Sequence, residues 1–152
     1  MSDEALRTRP MEKGDFDHLV RVIDKWWGGP TTALAHPLFF YELGQLARVV
    51  VSGERVVGFL FGFIAPTGPV GYVHLVGIDP EYRRRQVGSL LYRSFEAACR
   101  EAGCVGLKAI TTMGDEGSLR FHESQGWRVE TVENYAGPDR SRFVFTKALA
   151  GT

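Results

Sequence analysis

The 152 residues suit a single domain of ordinary size, and 44% hydrophobic against 24% charged residues is the balance of a globular protein. The 18 basic residues match the 18 acidic ones, so the chain as a whole has no attraction for nucleic acid or an anionic membrane. Residues 1–7 carry charges and no apolar run, and no stretch approaches the roughly 20 apolar residues of a membrane span. We therefore expect a cytoplasmic protein.

The first half of the chain is predicted to contain three strands and two helices. Residues 6–11 suit a short strand, and apolar residues at helical spacing from Asp15 predict a helix that two glycines and a proline end at 28–30. A second helix is predicted over 37–46. Strands over 47–51 and 55–64 then flank a hairpin turn.

The second half is predicted to contain four strands and two helices. In chain order they are a strand over 71–78, a helix over 89–102, a strand over 107–112, a helix over 116–125, and strands over 127–132 and 142–147. The first three of these form a strand–helix–strand crossover, which predicts one parallel pair. We expect one mixed α/β domain over residues 1–152, with a mostly antiparallel central sheet of about seven strands flanked by about four helices.

Cysteine and histidine spacing excludes some chemistry. Cys99 and Cys104 could form a disulfide or remain two reduced thiols, and the second alternative is favoured because so short a loop gains little stability. The four histidines are scattered without ligand spacing, so we predict no metal site.

The segment after the strand at 71–78 carries the most informative pattern. The strand ends at Asp79-Pro80, a cluster of three arginines follows at 83–85, and Gly88-Ser89 opens a helix. The first amides of a helix lack internal partners at the positive end of its dipole, so they suit a phosphate, and glycine allows a close approach. The alternative is a solvated, arginine-rich loop before a capped helix. Neither a triphosphate-binding loop nor a dinucleotide fingerprint is present.

These residues resemble the GNAT superfamily of acyl-CoA-dependent N-acyltransferases. The stretch Arg83–Gly88 is similar to its pyrophosphate loop, Gln/Arg-x-x-Gly-x-Gly/Ala, although Gln86 replaces the first glycine and could narrow the approach. The stretch 115–127 is similar to Asn-x-x-Ala-x-x-Phe/Leu-Tyr-x-x-x-Gly-Phe. It keeps Phe121 and Gly126 and carries four replacements: Asp115 for Asn, Ser118 for Ala, His122 for Tyr and Trp127 for Phe. The resemblance covers residues 6 to 147.

The resemblance implies an N-acetyltransferase that moves an acetyl group from acetyl-CoA, its co-substrate, to a primary amine by direct attack in a ternary complex. A main-chain amide near Val76 to Ile78 would polarise the thioester carbonyl, as an oxyanion hole does. The residues implied in cofactor binding are Val76, Ile78, Arg83, Arg84, Arg85, Gln86, Val87, Gly88, Ser89, Asp115, Ser118 and Phe121.

Two histidines are the catalytic candidates. His122 stands in the place of the family's tyrosine and is the candidate acid for the departing thiolate; the alternative is a semi-exposed histidine on a helix. His74 is the candidate base, on one face of its strand with Tyr72, Val76 and Ile78. The alternative for His74 is a core histidine that a backbone carbonyl satisfies.

Aromatic residues are the candidates for binding the acceptor. Trp26 and Trp27 precede a turn, and Tyr135 lies in a turn-rich loop; packing in the core or over the sheet is the alternative for each. We expect a small-molecule or peptide amine as acceptor and neither nucleic acid nor membrane as partner, and the resemblance makes a homodimer plausible. Four arginines, Arg48, Arg55, Arg140 and Arg142, are interpreted as solvated strand ends. The rival function is a non-catalytic acyl-CoA-binding or regulatory domain.

Overall fold

A computed structural model describes residues 5–29 and 31–149 of the chain. The strands are β1 (Leu6–Pro10), β2 (Arg48–Ser52), β3 (Arg55–Ala65), β4 (Val70–Ile78), β5 (Gly106–Thr112), β6 (Arg128–Val132) and β7 (Arg142–Ala148). The α-helices in the described part are α1 (Lys13–Trp27), α2 (Leu38–Tyr41), α3 (Val87–Glu101) and α4 (Glu116–Ser124). The strands form one seven-stranded sheet in the order β1-β2-β3-β4-β5-β7-β6. The predicted fold class, seven strands with four helices, is confirmed.

Strand directions follow the predicted connections. The pairs β1–β2, β2–β3, β5–β7 and β6–β7 are antiparallel, whereas β4 and β5, which α3 connects, are parallel. The described β4–β5 register runs from Val70↔Gly106 to Val73↔Ala109 only, although β4 continues to Ile78 and β5 to Thr112. The predicted crossover is therefore present, and its parallel ladder is short.

The predicted helix over 37–46 is wrong in its length. The α-helix α2 is a single turn of four residues, and a separate 3-10 turn follows at Gly44–Leu46. Glycine is a poor helix former in the middle of the predicted segment. The Phe39 and Phe40 side chains pack against the core, and Phe40 stacks on Phe16 with ring centroids 5.2 Å apart. Local propensity and tertiary packing together therefore end this helix early.

The described residues divide into two compact units, one of residues up to 63 with 74–98 and one of 64–73 with residues from 99 onward. In the first unit, helix α1 begins at a capping box between Glu12 and Asp15 and ends at Gly28, whose φ of 73° is left-handed. Its Leu19 and Ile23 side chains are fully buried against β2 and β3 residues such as Phe59. The prediction of a single domain stays a prediction.

The second unit has its own buried residues. Leu107 and Ala109 of β5 and Phe145 of β7 are all less than 4% exposed. Within the described chain, Cys99 and Cys104 are buried thiols and not a disulfide, which confirms the favoured alternative. No helix in the described ranges is both long and apolar enough to cross a bilayer.

Candidate active site

The turn between β4 and α3 is held by one buried carboxylate. Asp79 is 4% exposed, and its side chain accepts hydrogen bonds from the Glu81 amide at 2.9 Å and from the Arg55 guanidinium at 2.6 Å. Its own amide donates to the Val57 carbonyl at 2.9 Å. Arg55, interpreted from the sequence as a solvated strand end, is therefore the ion-pair partner that fixes this turn.

The backbone of the arginine loop has alternating handedness. Arg84 and Gln86 have positive φ values of 67° and 62°, whereas the φ of Arg85, between them, is negative. Alternation of this kind is typical of loops whose successive N–H groups turn toward one side and can bind an anion. The Gln86 carbonyl accepts a 3.0 Å bond from the Leu90 amide, so Gln86 is the residue that precedes the first turn of α3.

This loop fits a phosphate-bearing group. Helix α3 is 15 residues long, and its first amides point out of the helix beside the left-handed Gln86. Gln86 stands at the position of the family's first glycine. Its positive φ is a conformation that glycine adopts most easily, which explains why the family has a glycine there. Val87 and Gly88, which follow, are buried.

The three arginines of the loop have different surroundings. The Arg83 guanidinium donates a 2.7 Å hydrogen bond to the Trp26 carbonyl, at the C-terminal turn of α1. The Arg85 guanidinium lies 5.1 Å from the centroid of the Tyr82 ring. Arg84 is exposed. Arg83 therefore connects the loop to the end of α1.

The two tryptophans differ in exposure. Trp26 is 7% exposed and stacks near Phe59 with centroids 6.3 Å apart, which matches the core alternative for this residue. Trp27 is 48% exposed. Only Trp27 therefore presents its ring to a ligand in solution.

Strand β4 shows the predicted period of two. Tyr72, His74, Val76 and Ile78 are half-buried, whereas the residues between them are buried. The His74 Nε2 lies 2.8 Å from the Leu34 carbonyl, and its ring stacks on Phe39 with centroids 3.8 Å apart. Because a carbonyl only accepts, we assign the Nε2–H tautomer, which places the lone pair on Nδ1. Burial lowers the pKa of His74, against the opposing effect of the Leu34 bond.

His122 lies in an aromatic environment in the second unit. It is 4% exposed, its ring is parallel to Phe145 at 3.9 Å, and the Trp127 ring meets it edge-on at 5.1 Å. Its Nδ1 donates to the Ser118 carbonyl at 2.8 Å. Burial lowers the pKa of His122, while the Ser118 bond and the Asp115 charge oppose that shift. The ring is therefore neutral near pH 7, and the alternative of a semi-exposed histidine is not observed.

The other residues of the second motif shape the start of α4. Asp115 is its N-cap and accepts 3.0 Å hydrogen bonds from the Ser118 amide and from the Thr111 hydroxyl. Phe121 is half-buried with its ring perpendicular to His122, centroids 5.4 Å apart. These contacts explain why an acidic residue serves at the position of the family's asparagine.

Further polar side chains occur in the second unit that the sequence did not single out. Lys108 of β5 lies opposite Tyr72 in the β4–β5 register, and its Nζ is 5.1 Å from the centroid of Tyr135, which is 39% exposed. Burial raises the pKa of Tyr72, and Tyr135 adds to that shift. Arg140 and Arg142 line an open cavity. The alternation of β5 was the one sequence signal available for Lys108. No cluster of metal-ligand side chains is found in the described ranges.

Comparisons with known proteins agree on one family. The family model described as "Acetyltransferase (GNAT) family" matches residues 6–127. Uncharacterized protein YdhI of Bacillus subtilis is 27% identical over 109 residues, which are 71% of this chain and 65% of that protein. Human N-alpha-acetyltransferase 30 is 23% identical over 112 residues, 72% of this chain and 31% of that protein. The chain thus spans less than two thirds of these two relatives.

A solved structure with the same fold contains a ligand. The crystal structure of aminoglycoside 6'-N-acetyltransferase complexed with coenzyme A has a TM-score of 0.78 and 16% identity to this chain. The likeness covers 96% of this chain and 98% of that one. At this identity the likeness shows the fold alone.

Proposed function

This chain belongs to the acetyltransferase (GNAT) family of acyltransferases, and from that membership we propose that it transfers the acetyl group of acetyl-CoA to a primary amine. The amine attacks the thioester directly, within a ternary complex. The observation that carries the proposal is the start of α3, where the left-handed Gln86 lies at the position of the family's glycine, directly before the first helical turn, whose amides point away from the helix.

Acetyl-CoA would supply an activated thioester, and the loop residues would hold its pyrophosphate. We assign that role to the amides of Arg85, Gln86, Val87, Gly88 and Ser89, with charge from Arg84 and Arg85. Main-chain groups between Val76 and Ile78 are the proposed donors that stabilise negative charge on the carbonyl oxygen. Asp115, Ser118 and Phe121 remain proposed cofactor residues. Arg83 is proposed to act on the cofactor through the position of the loop, because its guanidinium is held by the Trp26 carbonyl.

His74 is the proposed base. Its Nε2–H is held by the Leu34 carbonyl, so the Nδ1 lone pair is the atom that can accept a proton from the attacking amine, directly or through water. Its lowered pKa keeps the ring neutral at pH 7, which is the state a base requires.

His122 is the proposed acid for the departing thiolate. Its Nδ1–H is donated to the Ser118 carbonyl, so only a protonated Nε2 could deliver a proton. Because burial keeps the resting ring neutral, this proton has to reach Nε2 during the reaction. His122→Phe, which preserves the stacking on Phe145, is expected to lower turnover far more than cofactor affinity. Unchanged turnover would remove the role and leave His122 as a residue of the aromatic core.

Trp27 and Tyr135 are the proposed acceptor contacts, since both rings are exposed. Trp26 is proposed to act through its carbonyl bond to Arg83 rather than through its ring. The acceptor is a small-molecule or peptide amine, and the aminoglycoside in the name of the solved structure above is an example of the first kind. A homodimer and a cytoplasmic location stay proposals.

The second candidate function is an acyl-CoA-binding domain without catalysis. The burial of His122, at 4% exposure, favours it, since a buried acid reaches the thiolate with difficulty. Both candidates require the same cofactor loop, so binding and turnover have to be measured separately.

Calorimetric titration with acetyl-CoA tests the cofactor site, and acetyl-pantetheine, which lacks the pyrophosphate, is the control ligand. Gly88→Gln is expected to weaken acetyl-CoA binding. Gly14→Gln is the matched control, because a Cβ at Gly14 meets nothing within 4 Å. Steady release of CoA with an amine supports the enzyme, and binding without release supports the second candidate. No binding of acetyl-CoA contradicts both.

A further inference from the structure

We propose that the amine acceptor also carries a carboxylate, and that cationic side chains on one sheet face of the second unit bind it. This inference rests on the proposed transfer to an amine and names the class of acceptor. The face is defined by Lys108 and Thr112 of β5 and by Arg142 of β7, together with Arg140 and Tyr135 of the loop before β7. We refer to it as the cationic face.

Strand register places these residues together. Lys108 pairs with Tyr72 on one side and Thr146 on the other, and Thr112 pairs with Arg142. Residues an even number apart on a strand share a face, so Lys108 and Thr112 lie on the same side of the sheet as Arg142. The row that contains Lys108 and the row that contains Thr112 and Arg142 are four residues apart, about 13 Å at the usual rise per residue. The cationic face is thus long enough for an extended small molecule or about four peptide residues.

An open cavity lies at the Arg142 end of the cationic face. Its volume is about 490 Å³, and it is lined by Thr112, Met113, Asp139, Arg140, Ser141 and Arg142. Two guanidinium groups and two hydroxyl groups provide donors that suit a carboxylate, and the planar guanidinium can bind both of its oxygens. The Arg142 Nη1 is held at 2.9 Å by the Ser141 carbonyl, which limits the freedom of this side chain.

The loop that presents Arg140 is ordered by its own hydrogen bonds. The Asn134 side-chain oxygen accepts a 2.8 Å bond from the Asp139 amide. The Ala136 amide donates to the Arg140 carbonyl, and the Arg140 amide donates to Gly137, each at 3.0 Å. A cavity wall built on such a loop is formed before the ligand binds, so less entropy is lost on binding.

The charge of the cationic face is unbalanced, although the whole chain is neutral. Lys108, Arg140 and Arg142 oppose two carboxylates of the loop before β7, Glu133 and Asp139, while Arg128 and Glu130 on the edge strand β6 offset each other, so one positive charge is in excess. At the other end, Tyr135 already has the Lys108 ammonium near its ring, 5.1 Å from the centroid. A polycationic acceptor would therefore be repelled, and an acceptor with a carboxylate would be attracted.

Binding of matched ligands to the CoA-loaded protein tests this inference apart from catalysis. The pairs are alanine against its amide, alaninamide, and the peptide amide Ser-Glu-Glu against Ser-Gln-Gln. We expect the acidic member of at least one pair to bind about fivefold tighter at low salt, which is the affinity ratio that one exposed charge contact provides. The ratio should be smaller at 0.5 M salt, because salt screens the charges. The first pair reports on a free amino acid as the source of the carboxylate, and the second on a peptide.

Arg142→Gln and Arg140→Gln are expected to abolish this preference, whereas Arg120→Gln, an exposed arginine on α4, retains it. Equal binding within both pairs, tighter binding of the neutral members, no binding of any member, or a preference that survives both variants would overturn the inference. Acetyl-CoA titration of the same proteins separates a failure of this inference from a failure of the proposed function. If CoA is released with a polyamine and the acidic ligands show no preference, the transferase stands and the carboxylate site does not.

Discussion

Replacement of Gln86 tests the link between the left-handed backbone and cofactor binding. The left-handed conformation, with φ 62° at Gln86, costs a residue with a Cβ about 1–2 kcal/mol. Gln86→Gly relieves that strain but increases the entropy of the unfolded chain, which costs about 0.4–1 kcal/mol. We therefore expect Gln86→Gly to be more stable than wild type by up to about 1.6 kcal/mol. Gln86→Val, β-branched at the same φ, should lose at least about 1 kcal/mol.

The same pair of variants should change affinity for acetyl-CoA. Removing the exposed Gln86 side chain widens the approach to the first amides of α3, so Gln86→Gly should bind acetyl-CoA tighter and Gln86→Val weaker. Urea unfolding measures the stability and calorimetry the affinity. Arg84→Gly is the control: its φ of 67° gives the same relief of strain, but loss of the charge should weaken binding.

The reasoning about the loop is refuted by one specific result. If Gln86→Val unfolds at the wild-type urea concentration and binds acetyl-CoA with wild-type affinity, then Gln86 does not hold a strained backbone at the cofactor site. If Gln86→Gly gains stability without any change in affinity, the strain is real but the cofactor does not approach Gln86.

Three further predictions concern packing, the loop and pH. A Cβ at Gly58 would lie 2.5 Å from a side chain at the start of α3, so Gly58→Ala should lose about 1–3 kcal/mol in urea unfolding, whereas Gly14→Ala, in open space on α1, should gain up to about 1 kcal/mol. Arg83→Ala should raise the KM for the acceptor as well as for acetyl-CoA, because it releases the end of α1. Arg84→Ala should raise only the KM for acetyl-CoA. The same pair of KM changes in both variants would contradict the different roles assigned to Arg83 and Arg84. Burial lowers the pKa of His74 below its unfolded value of about 6.5, so the unfolded chain binds more protons just below pH 6.5 and stability falls on acidification through that window. His74→Gln should reduce that slope in urea unfolding between pH 7.5 and 5.5, and an unchanged slope would contradict the burial argument.

Local patterns in the sequence were sufficient to predict the element order and to single out the candidate cofactor loop. Helical and strand periodicity predicted seven strands, four helices and the parallel crossover, because each signal depends on residues within a few positions of one another. The motif at Arg83–Gly88 was recognisable for the same reason, since a strand, a turn and a helix start are consecutive in the chain. The predicted helix over 37–46 exceeded the true length, because α2 ends at Tyr41 and a separate 3-10 turn follows at Gly44–Leu46. The packing of Phe39 and Phe40 on residues distant in sequence has no local signal.

The identities of hydrogen-bond partners could not be obtained from the sequence. His74 and Leu34 are 40 residues apart, and Arg83 and Trp26 are 57 apart, so no local pattern pairs them. These contacts determine which histidine nitrogen keeps its lone pair and which arginine is available to a phosphate. Likewise, Arg142 was interpreted as a solvated strand end until the sheet register placed it on one face with Lys108, and Arg140 lines the cavity beside Arg142. Short-range patterns thus determined the elements and singled out the candidate cofactor loop, whereas long-range pairing determined the surroundings of individual side chains, because protonation and charge depend on neighbours that only the folded chain brings together.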